Sequence, residues 1–287
     1  FRDHYLEMTP AVSIILNIDA DHLDYFGDLN GVIASFRRFA EQTTGTLIVN
    51  DDDENTRRAI EGLEGRRIIR YGRNAEWSAR DITFENGSYG VYRLFHDGSF
   101  FADIRLGVPG RHNVSNSLAA AAAAHLCGAT PTQIAEGIAS FHGAGRRFEF
   151  LGSFGGVTVA DDYAHHPTEI TATLTAAKAM DYRRVWAVFQ PFTFSRTARH
   201  LNEFAAALSL ADEVVVSDIM GSREQNTFGV SSRQITDQLP GAHYLATFPE
   251  IADFVCRNVR EGDLVLTMGG GNVYQCARMI AAGLQKE

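Results

Sequence analysis

The residues of this chain best equipped for chemistry are consecutive: Asp161-Asp162-Tyr163-Ala164-His165-His166-Pro167-Thr168-Glu169. Seven of these nine side chains accept or donate a proton or a hydrogen bond. An apolar run, Val157 to Ala160, precedes them and a helix-like run from Ile170 to Met180 follows, so they stand where a strand hands over to a helix. Open α/β sheets keep their ligand sites at such points. Pro167 suits a first helical turn, with Thr168 and Glu169 near the positive end of the dipole. A helix cap needs one Ser, Thr, Asp or Asn; two adjacent carboxylates, a tyrosine and two imidazoles exceed that need. Imidazole is also the side chain best poised to move protons near neutral pH.

Other polar clusters follow the same placement. Asp19-Ala20-Asp21-His22-Leu23-Asp24 comes directly after the apolar run Ala11 to Ile18. It reads either as a holder of a divalent cation, or of a phosphate through one, or as an acidic solvated loop with His22 as a cap. Val108-Pro109-Gly110-Arg111-His112-Asn113 opens an Ala-rich helix. There Asn113 is either an N-cap or an amide able to pair with a purine edge. Arg146-Arg147 suggests an anion-binding arginine at a domain junction. Arg196, in the loop Gln190 to Thr197, is placed to grip phosphate or carboxylate. A basic residue in a first helical turn opposes the dipole unless an anion partners it. Met268-Gly269-Gly270-Gly271-Asn272 could cradle an anion on backbone N–H groups, although Tyr274 breaks the dinucleotide-binding glycine pattern.

The elements that must position these groups alternate. A buried parallel strand is expected over Ala11 to Ile18, a helix over Leu29 to Gln42, and strands over Thr46 to Val49 and Arg67 to Tyr71. From Trp77 to Val108 the pattern becomes antiparallel hairpins with turns at Asn86-Gly87 and Asp97-Gly98. Helices are expected over residues 114 to 127 and Pro131 to Ser140. The α/β alternation then restarts, with strands at Val157 to Ala160, Val185 to Phe189, Glu213 to Ser217, His243 to Leu245 and Leu264 to Thr267.

Composition bounds the reading. With 287 residues, 45% hydrophobic and 21% charged, the chain is globular and of about two domains. A net charge of -9 argues against a nucleic-acid surface, and no apolar run is long enough for a membrane span. Cys127, Cys256 and Cys276 lack metal-ligand spacing and read as buried, reduced thiols of a cytoplasmic protein. Lys178 and Lys286 are the only lysines, so no Gly-Lys-Thr or Gly-Lys-Ser phosphate loop is present.

Together these stretches resemble the Mur ligases, the ATP-dependent amide-forming enzymes of peptidoglycan precursor synthesis. The resemblance rests on Asn17 to Asp24, Gly110-Arg111-His112-Asn113, Arg146-Arg147-Phe148, Asp161 to Glu169 and Gln190 to Thr197, in that order along the chain. It is strongest for the branch that joins L-alanine to UDP-N-acetylmuramate and for its muropeptide-ligase relative. The resemblance implies an α/β protein: a partial central ATPase-type domain with antiparallel hairpins over residues 1–144, then a Rossmann-like domain over 145–287. An N-terminal UDP-sugar domain and the phosphate loop would lie upstream. ATP and Mg²⁺ are the implied cofactors, and UDP-N-acetylmuramate and L-alanine the implied partners, with no nucleic acid or membrane. By the same resemblance His22 would serve the metal, His112 and Asn113 the adenine, and Arg147 with Asp162 the ribose and phosphates. Tyr163 and His165 would face the reacting groups, His165 as a base or as a positioning group, and Arg196 would orient the acyl substrate. A tripeptide-adding ligase and a nucleotide-binding module without catalysis are the competing expectations, with a Rossmann dehydrogenase further off.

Overall fold

A computed structural model describes residues 3–285. Contacts divide the chain into two compact units: Phe1–Glu85, Tyr89–Gly107 and Arg111–Phe141 form the first, and Asn86–Ser88, Val108–Gly110 and His142–Glu287 the second.

The first unit holds a six-stranded sheet in sequence order: β1 (Val12–Ile15), β2 (Thr46–Asn50), β3 (Arg67–Tyr71), β4 (Trp77–Glu85), β5 (Tyr89–His96) and β6 (Ser99–Pro109). β1 to β4 pair in parallel, and β4 pairs with β5 antiparallel. A strand's side chains alternate between faces, and β2 shows both faces in use. Leu47 and Val49 pack with α2 (Leu29–Gln42) and α3 (Glu54–Ile60), whereas Ile48 packs with α4 (His112–Leu126) and α5 (Pro131–Ser140). The short helix α1 (Leu23–Phe26) leads into α2. Ala119, Ala121 and Ala122 are fully buried, which lets α4 lie close to the sheet.

β1 is shorter than the apolar run that announced it, and only one of its faces is covered: Ser13 is buried like Ile15. Ile15 is buried, but Val12, Ile14 and Leu16 are 42%, 41% and 41% exposed. Cys127, just past α4, is exposed, Cys256 is half-buried, and only Cys276 is buried.

In the second unit the strand order is β11-β10-β9-β12-β8-β7. β7 (Glu149–Phe154) pairs antiparallel with β8 (Val157–Asp162). The parallel strands are β8, β9 (Val185–Phe189), β10 (Glu213–Val216), β11 (His243–Tyr244) and β12 (Leu264–Met268). α6 (Pro167–Ala179), α7 (Phe194–Arg199), α8 (Leu201–Leu208), α9 (Arg233–Thr236), α10 (Phe248–Asn258) and α11 (Tyr274–Leu284) complete the unit. β9 and β12 are buried along their whole length, as continuous apolar runs in parallel sheets require.

The chain leaves β8, places β9 two positions away, and returns to insert β12 between them. That reversal is the topological switch point of an open parallel sheet. Met268 is in register with both Asp162 and Phe189, so the three strands end level and release their loops side by side. No helix among the described residues is long and apolar enough to cross a membrane.

Candidate functional site

The loops after β8, β12 and β9 carry Asp161 to His166, Gly269 to Asn272 and Gln190 to Arg196. A turn before β7 adds Arg146 and Arg147. Arg146 and Phe148 adopt φ of 60° and 47°, a region that costs a non-glycine residue roughly 1–3 kcal/mol. The surrounding bonds over-determine the turn. Tyr163 N–H donates to Arg146 O at 2.7 Å, Arg146 N–H to Glu149 Oε2 at 2.7 Å, and Phe148 N–H to Asp162 Oδ2 at 2.8 Å.

Asp162 is the latch of this turn. Its other oxygen, Oδ1, accepts from Ala164 N–H at 2.7 Å. Burial pushes its pKa up to about 6, against the pull of the two N–H donors and the charge of Arg147. Asp161, also buried, is raised by burial and held back by the Thr267 hydroxyl and the Arg146 guanidinium. The Arg147 guanidinium lies 5.5 Å from the Tyr163 ring centre and that of Arg146 4.8 Å from it, so the ring is held by two cations.

His165 sits half-buried beyond Tyr163. Its Nδ1 is 2.9 Å from Tyr163 O; a carbonyl only accepts, so Nδ1 carries the hydrogen. In the neutral ring Nε2 is then the basic nitrogen. Glu169 Oε2 lies 3.4 Å from Nδ1 and accepts from the backbone N–H of His165 at 3.0 Å, which fixes the ring. His166, in contrast, is spent on local structure. It caps α6, accepting from Thr168 N–H through Nδ1, while Glu169 accepts from its own N–H in a capping box. The nine-residue motif is therefore both a helix start and a site, divided between neighbouring residues.

Arg196 answers the dipole problem posed by the sequence. Glu224, from a distant loop, accepts from Ser195 N–H at 2.8 Å, Ser195 Oγ at 2.6 Å and Thr193 Oγ1 at 2.8 Å. Burial raises the Glu224 pKa, but these donors and the charge of Arg196 outweigh it and hold the carboxyl below its ordinary value. The helix start thus has its anionic partner. Arg196 itself donates to Phe192 O at 2.9 Å.

Gln190 joins two of the loops. Its side chain accepts from Asn272 N–H at 3.1 Å and donates to Asn272 Oδ1 at 3.0 Å. A Cβ on Gly271 would sit 2.4 Å from Met220 Sδ and 2.5 Å from Gln190 Oε1, so both side chains would have to shift to admit it. Gln190, Glu224 and the anchoring role of Arg146 were not singled out by sequence reasoning, because each acts on residues far along the chain.

The remaining candidates lie in the first unit. His112 and Asn113 are the first two residues of α4, and Arg111 occupies the cap position. Asn113 is therefore inside the helix rather than its N-cap, and its Oδ1 accepts from Asn116 Nδ2 at 3.0 Å. His112 reaches solvent, yet the protein around it lowers its pKa by desolvation. His22 caps α1 in a left-handed conformation, φ 54°, without a capping bond from its side chain. Its Nε2 is 3.6 Å from Asp21 Oδ2. The structure thus brings Arg147, Asp162, Tyr163, His165 and Arg196 into the second unit, and His22, His112 and Asn113 into the first.

Comparison with known proteins matches this division. Residues 2–124 match the Mur ligase middle domain, and residues 146–271 the Mur ligase glutamate ligase domain. The chain is 41% identical over 283 residues to a UDP-N-acetylmuramate–L-alanine ligase of Caldanaerobacter subterraneus subsp. tengcongensis, covering 96% of this chain and 61% of that protein. Among solved structures, the UDP-N-acetylmuramate-alanine ligase MurC of Thermotoga maritima superposes with a TM-score of 0.81 at 25% identity, over 99% of this chain and 62% of that one. The fold is shared with the MurF ligase of Thermotoga maritima in complex with ADP, with a TM-score of 0.79 at 19% identity, over 99% of this chain and 65% of that one. The chain thus spans about 61% of the length of the curated relative. It belongs to the Mur ligase family, of which it carries the middle and glutamate ligase domains.

Proposed function

We propose that the polypeptide containing this chain joins L-alanine to UDP-N-acetylmuramate at the expense of ATP, in peptidoglycan precursor synthesis in the cytoplasm. The observation that carries this reading is 41% identity to an L-alanine ligase over 96% of the chain. Residues 1–144 act as the ATP-binding domain and 145–287 as the C-terminal domain. The reaction is carboxylate activation to an acyl phosphate, then attack by the alanine amine through a tetrahedral intermediate.

Charge builds on phosphoryl and carbonyl oxygens, so fixed positive groups supply most of the stabilisation. Arg147, held by the latched turn, meets the nucleotide phosphates, and Asp162 serves that side by fixing the turn. His112 and Asn113 contact adenine. Arg196, braced by Glu224, orients the muramoyl carboxylate. Tyr163 lines the reacting centre, and His165 takes a proton from the alanine ammonium through Nε2.

A Mg²⁺ ion carried by ATP brings phosphate and water ligands, so a protein need add only one or two ligands. His22 would serve that partial role, with the Asp21 carboxylate 3.6 Å from its Nε2. The ion would offset triphosphate charge when bound.

Phosphate release from Mg-ATP by the complete polypeptide, with UDP-N-acetylmuramate and L-alanine omitted in turn, tests the assignment. Release requiring both is the expected result. Release with a tripeptide in place of alanine would make the protein a muropeptide ligase, and none under any condition would leave a binding module.

A further inference from the structure

Glu76, His96 and Asp97 gather an imidazole and two carboxylates at one end of the β4/β5 hairpin, and the function above uses none of them. One ligand atom from each lies within 4.8 Å of the others, the one such group among the described residues. His96 Nε2 is 3.3 Å from Glu76 Oε1 and 3.6 Å from Asp97 Oδ2. A tetrahedral ion with bonds of about 2.0–2.1 Å has ligand-to-ligand edges of about 3.3–3.4 Å. Two edges of that polyhedron are therefore nearly in place.

The framework holds them there. His96 is the cross-strand partner of Trp77, and their rings stack with centroids 4.2 Å apart. The imidazole cannot rotate freely without leaving a buried indole. Asp97 N–H donates to Glu76 O at 2.9 Å, and Asp97 and Gly98 turn the chain with φ of 49° and 74°, as a type I′ hairpin requires. The Asp97 side chain is 75% exposed, which leaves a solvent side for water to complete the coordination. Arg67 is the competing cation, 3.9 Å from Glu76 Oε1, but its side chain is 61% exposed and free to swing into solvent.

We propose that Glu76, His96 and Asp97 form a divalent-metal site, occupied by Zn²⁺, that clips the ends of β4 and β5 together. The donor set of one nitrogen and two carboxylate oxygens, without thiolate, suits zinc better than the hard ions that prefer oxygen alone. The competing account is a plain ion pair of protonated His96 with its two carboxylates.

Calorimetric titration of Zn²⁺ into the metal-free chain decides between them, comparing wild type with His96→Ala and Asp97→Asn. Other histidines and the exposed Cys127 contribute a background common to all three proteins. Wild type should bind one more equivalent than His96→Ala, and Asp97→Asn should weaken that equivalent tenfold or more. Asp97→Asn, at an exposed position, guards against His96→Ala merely disturbing Trp77. Zinc X-ray absorption of the one-equivalent complex should show a nitrogen and oxygen shell. Equal stoichiometry and affinity in all three proteins, no saturable binding, or a sulfur shell at one equivalent would each overturn the site.

Discussion

Arg146 donates from Nε to Asp161 Oδ2 at 2.9 Å while its two terminal nitrogens reach Gly271 O at 2.9 Å and Gly269 O at 2.7 Å. One guanidinium therefore ties the turn before β7 to the ends of both β8 and β12. Asp161 is 2% exposed and Arg146 23% in their side chains, so removing one partner strands a buried charge. Arg146→Ala should lower unfolding stability by about 3–5 kcal/mol. Arg146→Lys should recover only part, since an ammonium cannot reproduce a planar fork. Urea denaturation measures both, and a loss under about 1 kcal/mol for Arg146→Ala would show that the fork does not hold the turn.

Asp162 sets a pH dependence whose sign follows from its raised pKa. The folded state binds this proton more tightly than the unfolded one. The group's contribution is full below about pH 4 and is lost as pH rises to about 6, beyond which it no longer changes. Asp162→Asn should flatten that part of the stability profile. At neutral pH it should also cost about 1–3 kcal/mol, because its single oxygen cannot serve both Phe148 and Ala164 N–H groups. Denaturation series at several pH values check slope and offset together.

The glycine turn bears on His165. A Cβ on Gly270 would lie 3.0 Å from His165 Cγ and 3.3 Å from Nδ1, so the ring must shift to admit it. In the complete polypeptide, Gly270→Ala should lower turnover by about 10- to 100-fold through misplacement, and His165→Ala by about 10²- to 10⁴-fold. ATP affinity should change little in either. Steady-state kinetics with ATP binding measured separately make the test, and unchanged turnover in His165→Ala would remove the residue from the mechanism.

Glu224 braces the loop that carries Arg196. Glu224→Gln keeps the shape but loses the charge and one accepting oxygen, so Ser195 and Thr193 are held less firmly. On the proposed assignment, Glu224→Gln in the complete polypeptide should raise KM for UDP-N-acetylmuramate about tenfold with KM for ATP unchanged, the cost of about one charged hydrogen bond. Equal rises in both would mean that the loop serves general folding.

Sequence reasoning reached the parts of this molecule that are locally determined. α2 and α5 begin and end where their patterns place them, and β9 matches its apolar run residue for residue. The two hairpin turns follow from Asn-Gly and Asp-Gly. β7 escaped notice because Glu149, Gly152 and Ser153 interrupt its apolar pattern. The site was legible as a set of residue types at strand ends, and less so as a set of contacts. Glu224 meets Ser195 across 29 positions and Gln190 meets Asn272 across 82. No local periodicity records such pairings, which depend on the order of strands in the sheet.

The exposed side of β1 has a practical meaning for handling this chain. Val12 and Ile14, with Leu16 just beyond, form an apolar row at a strand that terminates its sheet, and such a border is a template on which another strand can grow. Preparations of residues 1–287 alone should therefore become turbid as concentration rises. A single lysine in place of Ile14 would act as a gatekeeper, without touching Ile15 or the packing beneath it.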